Sequence, residues 1–224
     1  MAIQVQGNAG TVAEVDGTTF RALRVTPRPV DYGALGIYSY GGSTGIIPAA
    51  LAANSEVFQF RWVDATRFAA IRRVRLSASV TTTMFAAGVP VEIAMWKATG
   101  WTGQGTGGTG VTPAAELKCR TSMGSTLVGA GDIRIATTAA LGAGTKSLET
   151  NAMRSIVAGG PITASLNGTI IAPGTLFWEA EPGDGGHPLV LTTNEGFVIR
   201  SVAVPATGTW RLSVMVDWAE VTAY

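Results

Sequence analysis

Cysteine, histidine and charge are all scarce in this chain, and each scarcity excludes something. The lone cysteine, Cys119, cannot close an intrachain disulfide. The fold is therefore not a disulfide-stapled secreted scaffold, and folding in a reducing cytoplasm is the simple reading. The lone histidine, His187, leaves little for histidine-based catalysis or metal binding. Only 14% of the residues are charged against 46% hydrophobic, well below the charge density expected on the surface of a soluble monomer. Part of the surface is thus expected to be covered by something other than water, with oligomerisation or lattice packing the cheapest cover. A net charge of +1, with no acidic tail or basic arm, argues against counterion-release binding, so no nucleic-acid partner is expected. No run of about 18 apolar residues could span a membrane. The longest weakly polar stretch, residues 46–53, contains Pro48, and the start MAIQVQGNAG has no signal-peptide pattern. No membrane partner is expected.

What the chain does have is alternation. Residues 56–83, EVFQFRWVDATRFAAIRRVRLSASVTTT, contain two runs of largely period-two pattern, the signature of half-buried strands. In the first, Val57, Phe58, Phe60, Trp62 and Val63 form the buried face, with Gln59 and Arg61 opposite. In the second, Val74, Leu76, Ala78 and Val80 face one way and Arg73, Arg75, Ser77 and Ser79 the other. The pair reads as the organising hairpin. Its outer face carries Arg61, Arg72, Arg73 and Arg75, four of the sixteen basic residues, which need acidic or polar neighbours. These four arginines are candidate contacts to other subunits, and a solvated face is the plainer alternative.

Along the chain, residues 1–30 read as an extended N-terminal arm, broken by Gly7, Gly10, Gly17 and the Pro27-Arg28-Pro29 turn. Residues 31–224 read as one domain, a length within the range of single β domains. A short helix is expected over 48–53, with Pro48 in its first turn, and a strand over 89–97, with Pro90 at its start or on an edge. Residues 100–112, GWTGQGTGGTGVT, carry six glycines in thirteen positions and read as a surface loop. Residues 116–157 are ambiguous, with short strands at 117–120 and 132–137 and a loop or helical turn at 139–148. The last third offers strands at 162–166, 169–172, 175–180, 189–192, 196–204 and 210–221. Turn chemistry separates them at Asn167-Gly168, Pro173-Gly174, 182–186, 194–196 and 206–208. The last strand alternates over twelve residues, placing Trp210, Leu212, Val214, Val216 and Trp218 on one face, and a strand that long is expected in the middle of a sheet. Many strands, frequent turns and little helix define an all-β chain, an antiparallel β-sandwich or jelly roll.

Motifs that could carry chemistry are weak in context. Gly41-Gly42-Ser43-Thr44-Gly45 fits the hydrolase pattern G-x-S-x-G. That elbow needs a buried parallel strand before the serine, a helix after it, and an Asp then a His downstream. The chain has no βαβ alternation and only His187 to offer, so a glycine-rich loop is the better reading. Gly103-Gln104-Gly105-Thr106-Gly107-Gly108 has dinucleotide-loop spacing, but Thr109–Pro113 cannot promptly start the helix that would hold a pyrophosphate. Glu179, Glu181, Asp184 and His187 meet no metal-ligand spacing, and a solvated acidic turn is the plainer account. No cofactor and no metal are expected. Cys119 lies between Lys118 and Arg120, which favours a lowered thiol pKa, yet it reads as a small core residue. Asn167-Gly168-Thr169 fits the glycosylation sequon but reads as a turn. Trp62, Trp178, Trp210 and Trp218 read as core or interface. Trp96 and Trp101 flank the glycine-rich loop, where an exposed ring could stack on a sugar.

FQFRWVDATRFAAIRRVRLS, LGAGTKSLET and HPLVLTTNEGFVIRSVAVPATGTWRLSVMVDWAEV together resemble structural proteins encoded among the virion genes of tailed bacteriophages, over most of the chain from about Phe58. The likeness to capsid decoration or cement proteins implies a non-enzymatic virion component, assembled in the bacterial cytoplasm as a trimer or other symmetric oligomer. Its partners would be copies of itself and the major capsid protein. The resemblance supplies a setting and no site residues. A tail or fibre component touching host glycans near Trp101 is the second expectation, and a hydrolase centred on Ser43 and His187 the third.

Overall fold

The computed structural model describes residues 36–222 apart from 50, 86–89, 114–116, 160–167 and 181–186. The predicted arm, the 162–166 strand, Glu181 and Asp184 lie outside the described residues. Those described form thirteen strands and no α-helix. In chain order they are β1 (Ile37–Ser43), β2 (Ile47–Pro48), β3 (Ser55–Trp62), β4 (Phe68–Val80), β5 (Val91–Gly103), β6 (Thr109–Gly110), β7 (Ile133–Ile135), β8 (Thr145–Leu148), β9 (Arg154–Ala158), β10 (Thr169–Glu179), β11 (Leu189–Leu191), β12 (Glu195–Ala203) and β13 (Thr209–Val221).

Two antiparallel sheets form. The first runs β1-β13-β4-β10, with β11 also on β4 and β2 also on β13; the second runs β6-β7-β3-β12-β5-β8, with β9 also on β5. They pack face to face as the antiparallel β-sandwich that the alternation predicts, without establishing a jelly-roll winding. Trp210, Leu212, Val214, Val216 and Trp218 of β13 are fully buried, and β13 lies between β1 and β4. Aromatic contacts join the sheets. Phe60 of β3 meets Trp218 edge-on at 5.3 Å, and Tyr40 of β1 stacks over Phe58 of β3 at 6.0 Å. Such pairs add about 0.5–1.5 kcal/mol each beyond the area they bury.

The 56–83 stretch is not a hairpin. β3 pairs with β12 and β7 in the second sheet, while β4 pairs with β13, β10 and β11 in the first. Asp64 turns the chain between them: its Oδ1 accepts hydrogen bonds from the Thr66 and Arg67 amides, 2.8 Å each, and from the Thr66 hydroxyl. Such an Asx turn can end a strand and redirect the chain as well as a two-residue hairpin can, which periodicity alone does not distinguish. Nor do the described residues of 48–53 form a helix. Ile47 and Pro48 pair with Trp210 and Thr209, the Ala49 amide donates to Gly208 O, and Ala53 and Asn54 form a turn with Asn54 at φ 63°. Tertiary pairing to β13 overrides the local alanine propensity.

The glycine-rich segment is narrower than predicted. Gly100–Gly103 continue β5, Thr109–Gly110 form β6, and only 104–108 remain between them. Gly105 is buried: a Cβ there would stand 2.0 Å from Gln59 Oε1, so glycine serves close packing as well as loop flexibility. Pro173-Gly174, read as a turn, lies inside β10, whose register against β4 shifts three times. A proline is tolerated there because β10 is an edge strand. Lys118 makes only an isolated bridge to Tyr38, not a strand. Cys119 is exposed rather than core.

Candidate functional site

The outer face of the first sheet is built by strand register. β4 and β13 each turn their apolar positions inward, so the intervening positions of β4, β13 and β1 line up outside in cross-strand rows. One row is Ser39, Asp217, Arg73, Glu179. Ser39 Oγ donates to Asp217 Oδ1 at 2.6 Å, and Arg73 grips Glu179 Oε1 through Nε and Nη2 at 2.7 Å each. The next row is Gly41, Met215, Arg75, Leu176, and a third is Ser43, Ser213, Ser77, with the Ser43 and Ser213 hydroxyls 2.5 Å apart. The last row is Arg211, Ser79, Thr169, with Arg211 Nε donating to Thr44 O at 3.1 Å.

Small side chains fill one row, Ser43, Ser213 and Ser77, and alternate with charged and apolar side chains in the others. Two large apolar groups stand out of this face, Met215 at 43% and Leu176 at 49% exposed, with Arg75 between them in register. Shallow depressions of about 220 Å³ and 290 Å³ lie near the two ends, the first around Ser43, Ser77 and Arg211, the second around Arg72, Cys119 and Asp217. Both are smaller than the roughly 300–1,000 Å³ of typical small-molecule sites. The arrangement suits contact with a broad surface better than enclosure of a ligand. Partial desolvation at the edge of the second depression, then the Asp217 carboxylate, push the exposed Cys119 thiol above its ordinary pKa. Lys118 and Arg120 do not lower it as their proximity in sequence suggests.

The five residues singled out from the sequence divide between the two sheets. Arg73 and Arg75 lie on this face and Arg72 lines the second depression. Arg61 and Trp101 are brought together on the second sheet, and neither is available to a partner. Arg61 Nε donates to Trp101 O at 2.8 Å, Nη2 to Thr102 O at 3.3 Å, and Nη1 to Asp132 Oδ1 at 3.1 Å, an ion pair in which Asp132 is 3% exposed. Trp101 is 1% exposed, packed with Ala98 and Val198, so its ring cannot stack on a sugar. The β5 extension folds the indole onto β12, where Gly196 leaves space for it: a Cβ there would be 2.8 Å from the ring.

Ser43 does not occupy a nucleophile elbow. It ends an edge strand antiparallel to β13, and the chain continues through 44–46 into β2 rather than into a helix. Glu179 is taken by Arg73, and among the described residues no three metal-binding side chains cluster. The residues that sequence reasoning missed are Ser39, Leu176, Arg211, Ser213, Met215 and Asp217. The outward half of the β13 alternation could have flagged the last four; only the register joins them to Arg73 and Arg75. No family model, curated protein or solved structure matches the chain.

Proposed function

We propose that this protein is a non-enzymatic structural subunit of a phage virion, a decoration or cement protein whose outer first-sheet face seats against copies of itself or the major capsid protein. The observation that carries the reading is that face: in-register rows of serine and charged side chains with Met215 and Leu176 projecting beside Arg75. The two exposed apolar side chains supply anchors within a polar surround. The low charge density supports it, and the virion setting comes from the sequence resemblance. The glycan-contact reading lost its residue when Trp101 proved enclosed, and the hydrolase reading lacks its elbow at Ser43.

Sedimentation velocity of the purified protein over a concentration series tests the proposal. Wild type should self-associate, and a Met215→Glu, Leu176→Glu double variant should stay monomeric. Both positions are exposed, so each change should alter stability by no more than about 0.5 kcal/mol. A double variant that associates as wild type does would remove this face from the proposal.

A further inference from the structure

The outer side of the second sheet holds a polar cluster sealed from water. Glu56 and Gln59 of β3 are 4% and 1% exposed, and the Lys146 side chain of β8 is 2% exposed. Lys146 Nζ lies 2.8 Å from Glu56 Oε2, and that same oxygen accepts a hydrogen bond from Gln59 Nε2 at 2.6 Å. An amine and a carboxamide therefore stand within two hydrogen-bond lengths of each other, on a shared carboxylate oxygen. The amine also donates to Ala143 O and the amide to Gly142 O at 3.0 Å. The Trp101 ring closes the cluster, its centroid 4.4 Å from Lys146 Nζ. Arg200 approaches the other Glu56 oxygen at 3.7 Å.

A simple buried ion pair explains only part of this. It does not need the carboxamide, and it leaves Gln59 Oε1 buried with no hydrogen-bond partner, alongside an unpaired Trp101 Nε1. Buried polar groups are normally satisfied, so an orphaned amide oxygen beside a sequestered amine calls for a reason. Desolvation lowers the Lys146 pKa, although the hydrogen bond and charge of Glu56 pull it upward. In so dry a site, proton transfer from ammonium to carboxylate gives a neutral pair and exposes a nucleophilic amine.

We propose that Lys146 and Gln59 join through a self-catalysed isopeptide bond, with Glu56 carrying the proton. Glu56 accepts a proton from the Lys146 ammonium, and the free amine attacks Gln59 Cδ. The tetrahedral adduct gives a proton, through Glu56, to the amide nitrogen. The Cδ–Nε2 bond then breaks, and that nitrogen leaves as ammonia, which takes up the remaining proton as ammonium. One C–N bond forms and one breaks, with no change of oxidation state and no co-reactant. The product ties β3 to β8, across β12 and β5 in the sheet order. In a chain with one cysteine, such a bond provides the covalent bracing that a disulfide cannot. The proposal does not depend on the virion reading.

The test is intact-mass measurement of the denatured full-length protein, with a tryptic map. Wild type should weigh one ammonia less than its sequence. Its map should contain a branched peptide joining residues 25–61 to 135–154, uncut at Lys146. Glu56→Gln and Lys146→Arg should each keep the full mass, the second retaining the positive charge in the cluster. Wild type that is folded by near-ultraviolet circular dichroism yet lacks the branched peptide after prolonged incubation overturns the proposal. A Glu56→Gln protein that cross-links as wild type does overturns the assignment of Glu56.

Discussion

Glu220 gives the sharpest test of how the interior of the sandwich treats charge. It is fully buried on β13, and its Oε1 accepts hydrogen bonds from the Thr126 hydroxyl, from the Leu127 amide at 3.0 Å and from Trp218 Nε1 at 3.4 Å, while Oε2 has no partner. Burial raises its pKa above the ordinary 4.5, against the opposing pull of these donors and of Arg67. A carboxyl raised in this way binds its proton more tightly in the folded chain than in the unfolded one. Between 4.5 and the raised value the folded state holds more protons, so stability falls as pH rises; the contribution is complete below 4.5 and lost above the native value. Each unit of upward displacement corresponds to about 1.4 kcal/mol. Glu220→Gln removes the titration and keeps an oxygen for the Thr126 and Leu127 donors. Urea unfolding followed by tryptophan fluorescence, at intervals from about pH 4 to pH 8, should find variant and wild type within about 1 kcal/mol at the acid end, the scale of one neutral hydrogen bond. The variant should then gain on wild type as pH rises, by about 1.4 kcal/mol per unit of displacement. A difference that stays flat across the range, or a variant that loses ground as pH rises, would refute the reasoning.

Arg61→Ala strips three hydrogen bonds and leaves Asp132 almost fully buried beside Gln104 Nε2 alone, so it should cost about 3–5 kcal/mol in urea unfolding. Gly196→Ala would put a Cβ 2.1 Å from Phe60 O, a backbone atom that cannot swing aside. It should cost about 1–3 kcal/mol, accompanied by a change in near-ultraviolet signal as Trp101 is displaced. Trp101→Ala should lower stability by about 3–5 kcal/mol, the usual range for removing a buried tryptophan.

The fold class was legible because β13 and β4 alternate over long stretches, and period two has a single structural meaning. Pairing was not. That β3 and β4 enter different sheets depends on the Asp64 turn, and nothing in the alternation separates a turn within a sheet from one between sheets. The Pro173-Gly174 bulge was invisible for a related reason, since the same dipeptide makes a turn in one tertiary setting and a bulge in another. Arg61 was correctly placed on the outward face of its strand, but the second sheet's outer side is itself covered by the β5 extension and by 140–148. Outward there does not mean exposed. Half of the candidate face was readable from β4, whereas its partners on β1 and β10 follow from long-range register that one sequence does not encode locally. Glu56, Gln59 and Lys146 carried no joint signal, because Lys146 is far from the other two in the chain and meets them only through tertiary packing.

The place of β13 between β1 and β4 has a consequence for biosynthesis. It is the last of the described strands to leave the ribosome, yet it supplies the middle of its sheet. Until it emerges, β1 and β4 have no shared neighbour, and the hydrogen-bonding edge of β4 from Phe68 to Val80 waits without its partner. Pairings over such separations form slowly, and the waiting edges are open to other nascent chains. Recovery of native protein from cells should therefore respond to growth temperature and chaperone supply more steeply than the stability of the finished sandwich would suggest.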